Sequence, residues 1–384
     1  MGLQVDNQNL LLPPSQLFKS FTVKQKKDSL PSFESIKRND NINISPTYNI
    51  KPRKQASLSI SLGLQEMPTI SSKPKNFSLG SGSVIPFPGP ATTGQNVISK
   101  SITNNSSSLA KLTGIPERNP YAMTGSEFIE STKGLKRDKR EEMVLNEIIK
   151  GNIPDFARNL KEVNVTGIDK QGTQHTGKIF VMPDYLAIGS NDDFIRIPMN
   201  PLTAQKIANE TKTFLPTRKI VNDIYTQATV KLKPQPIEAS PKMMSSTYYQ
   251  NHNNLVKNQI NGFIKKQLQQ IGIEITPKVM EEHKKDLQGQ LTAGHKKDVV
   301  ISTGLVVHPK KVAIYGLHKP DAKAIQPLST IHENTYADYS HGVRLVGGTM
   351  IVDGEKKNIA DVLKDNHQSW VISDQGKINQ PYYK

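Results

Sequence analysis

Five of the nine histidines fall between Gly294 and Arg344: His295, His308, His318, His332 and His341. Asp298, Asp338, Ser340, Tyr336 and Arg344 share that stretch. Imidazoles and carboxylates at this density suit two chemistries. One is a Ser/His/Asp arrangement, in which an imidazole deprotonates a nucleophile and a carboxylate orients it. The other is a divalent metal such as Zn, held by His295, His318, His332 and His341 and activating water. The candidate catalytic residues are therefore His318, His332, Asp338, Ser340, His341, His295 and Asp298. In an extended chain Ser340 and His341 point to opposite faces, so Ser340 needs a different histidine as its base. Arg344 is a candidate clamp for an anionic substrate group, with Tyr336 beside it. Lys296 and Lys297 read as a solvated loop.

Outside this stretch, Ser190-Asn-Asp-Asp193 is an acidic turn, and it makes Asp193 a candidate substrate contact. Arg218 stands at a helix start, where its charge opposes the helix dipole, and so it too is a candidate for facing a site. The chain has no cysteine. Disulfides, thiol nucleophiles and thiolate metal ligands are thereby excluded.

Positioning these groups requires folded elements, and the chain divides unevenly. Residues 1–113 hold 13 Lys/Arg against 5 Asp/Glu, half of the net charge of +16. Their scattered prolines and Ser/Asn runs predict a disordered basic tail, with Leu58–Leu64 as a lone alternating segment that suits strand addition. Mean hydropathy is −0.51, consistent with part of the chain staying unfolded. The start of the chain reads as no secretory signal, and no run is long enough to span a membrane. A cytoplasmic protein exported by a route that reads no cleavable signal is expected, with the tail engaging a secretion or injection apparatus. Lys/Arg clusters interleaved with aromatics are scarce, so nucleic acid is not an expected partner.

From residue 114 the pattern predicts an α+β fold of helices with antiparallel sheet. A helix/hairpin subdomain is expected over 114–232, a linker over 233–248 and an α+β subdomain with the histidine-rich site over 249–384. Helices are predicted near 139–150, 202–212, 216–228, 254–270 and 278–290, and a short one at 358–364. Strands are predicted at 160–167 and 177–182, with hairpins at 185–198, 298–317 and 342–352. In the hairpin over 298–317, pairing Val306 with Lys311 would set Val299 opposite His318. His295, Asp298 and His318 would then gather at the open end, away from His308 in the turn. A last strand that frays is expected after Trp370.

The segments KDVVIS, KVAIYGLH and IQPLSTIHENTYADYSHGVRLV resemble a family of bacterial proteins of unassigned function. MPDYLAIGSNDDFIRIPM followed by LPTRKIVNDIY carries the same resemblance, which spans roughly 120–352. Relatives look secreted, and some are joined to peptidoglycan-binding modules. The resemblance implies an extracellular or envelope hydrolase acting on a polymer, peptide or ester, and it carries over His318, His332, Asp338, Ser340, His341 and Arg344. A non-enzymatic ligand-binding protein and a nuclease are the alternative readings.

Overall fold

The computed structural model describes residues 109–384. The expected strand at Leu58–Leu64 and nearly all of the tail lie outside the described residues. Residues 109–113, assigned to the tail on sequence, are already packed: Leu112 is buried and Lys111 forms a bridge with Asn159.

The helices begin where the chain supplies caps. Thr124 and Glu127 close a capping box on α1 (Gly125–Ser131), and α2 follows (Arg137–Ile149). Strands β1 (Lys161–Ile168) and β2 (Gln174–Val181) form a hairpin. Its turn is closed by Asp169 Oδ1, which accepts from the amides of Gln171 and Thr173. A second, short hairpin joins β3 (Ala187–Gly189) and β4 (Phe194–Arg196). Asn200 then caps α3 (Pro201–Glu210), and β5 is Thr213–Phe214. Thr217 caps α4 (Arg218–Gln227), so Pro216 lies before the helix rather than in its first turn. β6 is Val230–Lys231. Ser245 caps α5 (Ser246–Gln270), and Thr276 with Pro277 starts α6 (Pro277–Leu287).

The remaining strands are β7 (Thr292–Ala293), β8 (Lys297–Val299), β9 (Ile314–His318), β10 (Ala324–Ser329), β11 (His341–Gly342), β12 (Val346–Gly347), β13 (Thr349–Val352) and β14 (Glu355–Asn358). The helical turn α7 spans Gly304–Val307, and α8 spans Ile359–Lys364. One sheet runs β14-β13-β2-β12-β5 with β1 on β2, and a second runs β10-β9-β8-β11. The fold is α+β. Most pairs are antiparallel, while β6 with β7 and β8 with β11 are parallel.

Four expectations change. The halves 114–232 and 249–384 share one core, from Leu112 through Ile220 and Val343 to Tyr383. The intervening 233–248 runs against that body, with the Ile237 amide donating to Tyr339 Oη at 2.6 Å. The hairpin over 298–317 has another register: Val299 faces Ile314, not His318. Its first strand is short because the chain turns helical at Gly304, where Ser302 Oγ accepts from the Gly304 amide. Gly347-Gly348 is no hairpin tip. β12 and β13 both pair with β2, and the chain kinks between them where a Cβ on Gly348 would meet Lys212 O at 2.4 Å. Asp353-Gly354, a turn expected from its composition, is the tip between β13 and β14, with both residues at positive φ as a two-residue turn requires.

The end of the chain neither forms a strand nor frays. Val371, Ile372, Ile378 and Tyr383 are buried. Tyr383 Oη donates to Val300 O at 2.7 Å and accepts from the Ala313 amide at 3.0 Å, next to β8 and β9. Among the described residues, no helix is long and apolar enough to cross a membrane. Tyr383→Phe is expected to cost about 1 kcal/mol through the lost hydrogen bonds, and removal of Tyr383-Lys384 about 3 kcal/mol or more through the lost ring. Urea midpoints of the full chain check both values.

Candidate active site

Parallel pairing of β11 with β8 sets His341 beside Lys297 and Gly342 beside Asp298. The consequence is a buried band of ionisable groups. His295 and His341 have no exposed surface, and Lys296, Asp298, Asp338 and Arg344 are each at most 2% exposed. Lys296 is thus core rather than solvated loop. Its Nζ donates to Tyr339 O at 2.7 Å, and burial together with the nearby Arg196 pushes its pKa down to about 7. Asp298 accepts from Tyr185 Oη at 2.8 Å, and burial raises its carboxyl to about 7 against the pull of Arg344.

Arg344 is no substrate clamp. Its Nη1 donates to Met182 O at 2.7 Å and its Nη2 to Thr292 O at 2.6 Å, and its guanidinium lies 4.6 Å from the centre of the Tyr185 ring. Ser340 is no nucleophile either. Its Oγ donates to Asp338 Oδ1 at 2.5 Å and is buried there, while its amide donates to the same oxygen. Tyr336 Oη donates to Asp338 Oδ2, and the ring stacks on His332, which is exposed. Burial acts upward on Asp338, yet His341 in the acid range where it is protonated, Lys297 and the Ser340 hydrogen bonds outweigh it and hold the carboxyl well below its usual range. His341 Nε2 stands 4.0 Å from Asp338 Oδ2.

His295 and His318 do not converge as expected. Their backbones adjoin, since the Leu317 amide donates to Lys296 O. The rings part: His295 packs on Tyr185 with Nε2 3.4 Å from Asp184 Oδ1, misaligned for a hydrogen bond, whereas His318 stacks on Tyr225. Among the described residues no three His, Asp or Glu side chains are set to hold a metal, so His295, His318, His332 and His341 do not form a ligand set. Asp193 is structural: Oδ2 accepts from the Ser126 amide at the start of α1. Arg218 Nε donates to Asp374 at 2.7 Å and fastens the C-terminal segment.

Two members of the buried band, His252 and Asp184, were not singled out on sequence. His252, on α5, is fully buried against Tyr339, with neither ring nitrogen hydrogen-bonded. Burial and the nearby Lys296 push its pKa down to about 2. Asp184 and Arg196 form an ion pair at 2.6 Å. No local spacing marks a helical histidine as core.

His318 differs from the other four histidines of the stretch, since it both lines a groove and has an orienting partner. The groove, about 540 Å³, is bordered by Tyr225, Thr226, Tyr315, Lys323 and Pro327. Asn222 Oδ1 accepts from Tyr315 Oη at 2.9 Å and lies 3.0 Å from His318 Nε2. A carbonyl oxygen facing Nε2 requires the proton there, so Nδ1 keeps its lone pair. Burial lowers the ring's pKa to about 4, which leaves it neutral at pH 7. The preceding residues are held in the left-handed region, Leu317 at φ 58° and Gly316 at φ 121°. For leucine that conformation costs about 1–3 kcal/mol and persists because the sheet imposes it.

The buried histidines also set a pH response. His252, His295, His318 and His341 are lowered from 6.5, so their contribution to stability is full above pH 6.5 and is lost as pH falls toward 4. Asp298 is raised and acts in the opposite sense. A net loss on the order of 3 kcal/mol is expected between pH 7 and pH 5, read from urea midpoints, with a shallower slope in His252→Leu.

A scan against protein-family models, a search of curated proteins and a search of solved structures each find no match to this chain, so the site's reading stands on its own geometry.

Proposed function

We propose that residues 109–384 form a hydrolase in which His318 is the general base. The observation that carries this reading is the Asn222–His318 contact in the groove. It supports a fixed tautomer with one ring nitrogen free to accept a proton, on an imidazole that is neutral at working pH. In the reaction, Nδ1 takes a proton from water as the water oxygen bonds to an acyl carbon. The same proton then passes to the leaving nitrogen or oxygen as its bond to that carbon breaks. Tyr225 and Tyr315 hold the imidazole plane, with Tyr315 Oη committed to Asn222.

The substrate class proposed, a cell-envelope polymer, peptide or ester, follows the expectation drawn from the sequence motifs over 120–352 and is open to the panel below. The basic segment 1–113 is proposed to address the protein to a secretion or injection apparatus. Binding without turnover is the competing reading, and the same variants separate the two.

On a panel of peptidoglycan, peptides and aryl esters, His318→Ala is expected to lower kcat by about 10²–10⁴-fold with an unchanged circular dichroism spectrum. Asn222→Ala is expected to lower it less. Turnover should fall as pH drops through about 4, where the ring takes its proton. Absence of hydrolysis across the panel, or wild-type turnover in His318→Ala, would exclude the proposal.

A further inference from the structure

A second cavity lies away from the groove, enclosed by α5, α6, β4 and the segment that leads into β7. Its volume is about 130 Å³. A cavity of about 150 Å³ accommodates benzene, so one ring or one branched aliphatic group fits here. The wall suits such a group: Phe156, Phe194, Val230, Ile260 and Leu287 line it.

The polar side has a definite charge pattern. Asp184 and Arg196 form the floor and are both buried, with Arg196 Nε donating to Asp184 Oδ2 at 2.8 Å. Asp184 Oδ1 is taken by the Tyr185 amide at 2.7 Å. That carboxylate is spent on its neighbours, and the other charged groups of the lining are Lys257, Lys284 and Asp192. Lys284 has Glu281 3.4 Å away at the surface. Lys257 is less well matched. Its nearest carboxylate oxygen, on Asp193, is 3.7 Å off, and its ammonium makes no hydrogen bond among the described residues. The same ammonium lies 5.9 Å from the centre of the Phe194 ring, and the Arg196 guanidinium lies 5.0 Å from it. An aromatic wall and an ammonium paired only loosely, with Asp193 at 3.7 Å, therefore meet at one end of a ring-sized cavity.

We propose that this cavity binds a small carboxylate carrying one apolar group, with the carboxylate on Lys257 and the apolar group against Phe156, Phe194 and Leu287. Two sources share that chemistry: a free aryl or branched-chain acid, and the carboxyl end of a peptide whose last residue is apolar. The site does not depend on His318, and its test does not require turnover.

The test is NMR or calorimetric titration of the full chain with N-acetyl-phenylalanine, its carboxamide, and a tetrapeptide ending in phenylalanine. The acid is expected to bind with a Kd of about 1 mM or tighter, and the carboxamide about 10-fold more weakly. Lys257→Gln, at a partly exposed position, should weaken the acid about 10-fold and leave the carboxamide unchanged. Tighter binding of the tetrapeptide assigns the site to chain ends, and tighter binding of the single residue assigns it to free acids. Equal affinity for acid and carboxamide, no binding of either at 10 Kd of the expected value, or an unaltered Lys257→Gln would each overturn the proposal.

Discussion

The fold depends on how it accommodates charge removed from water. Lys296, Asp298, Asp338 and Arg344 lie in the core, where an unpaired charge would cost several kcal/mol. Each has one specific set of partners. Lys296 reaches Tyr339 O, Asp298 takes the Tyr185 hydroxyl, Arg344 bridges Met182 O and Thr292 O, and Asp338 collects Ser340 and Tyr336. These partners come from distant parts of the sequence. A slip of one residue in β8 or β11 would strand a charge, so the register of this sheet is set by electrostatics as much as by apolar packing. β9 pairs with β8 in that register and ends on His318. The position of the proposed base is thus a consequence of buried charges on the neighbouring strand.

The same band explains why two histidines of the stretch, His295 and His341, serve the architecture. His252, His295 and His341 are wholly enclosed, and burial holds them neutral. Neutral imidazoles fill space between cations and carboxylates without adding another charge. Ser340 makes the contrast clear. It has the residue type of a nucleophile and a carboxylate partner, yet its buried hydroxyl closes a local turn on Asp338 and bonds to no histidine. His318, 2% exposed, has fewer charged neighbours and borders a groove.

Much of the secondary structure could be read from local pattern. Val144 and Ile148 at helical spacing act over a few residues, and the helix expected near 139–150 is α2 (Arg137–Ile149). Fold class was legible for the same reason. Register was not: Val299 faces Ile314 because Gly304 starts a helical turn, a choice that alternation in DVVISTGLV does not reveal. Burial of Lys296 and His252 depends on partners far along the chain, Tyr339 above all, and leaves no local trace. The C-terminal segment gave a weak apolar signal, yet Tyr383 finds two backbone groups beside the second sheet. For the site, residue type pointed to a gathering of His295, His318, His332 and His341, and the structure keeps the rings of His295 and His318 apart.

The central claim concerns one proton. Nitrogen-detected NMR of the His318 ring in the full chain, followed from pH 7.5 to pH 4, reads both its tautomer and its titration. The Asn222 contact requires hydrogen on Nε2 at neutral pH and a midpoint displaced to about 4. Hydrogen on Nδ1, or a midpoint at the ordinary histidine value of about 6.5, would contradict the account.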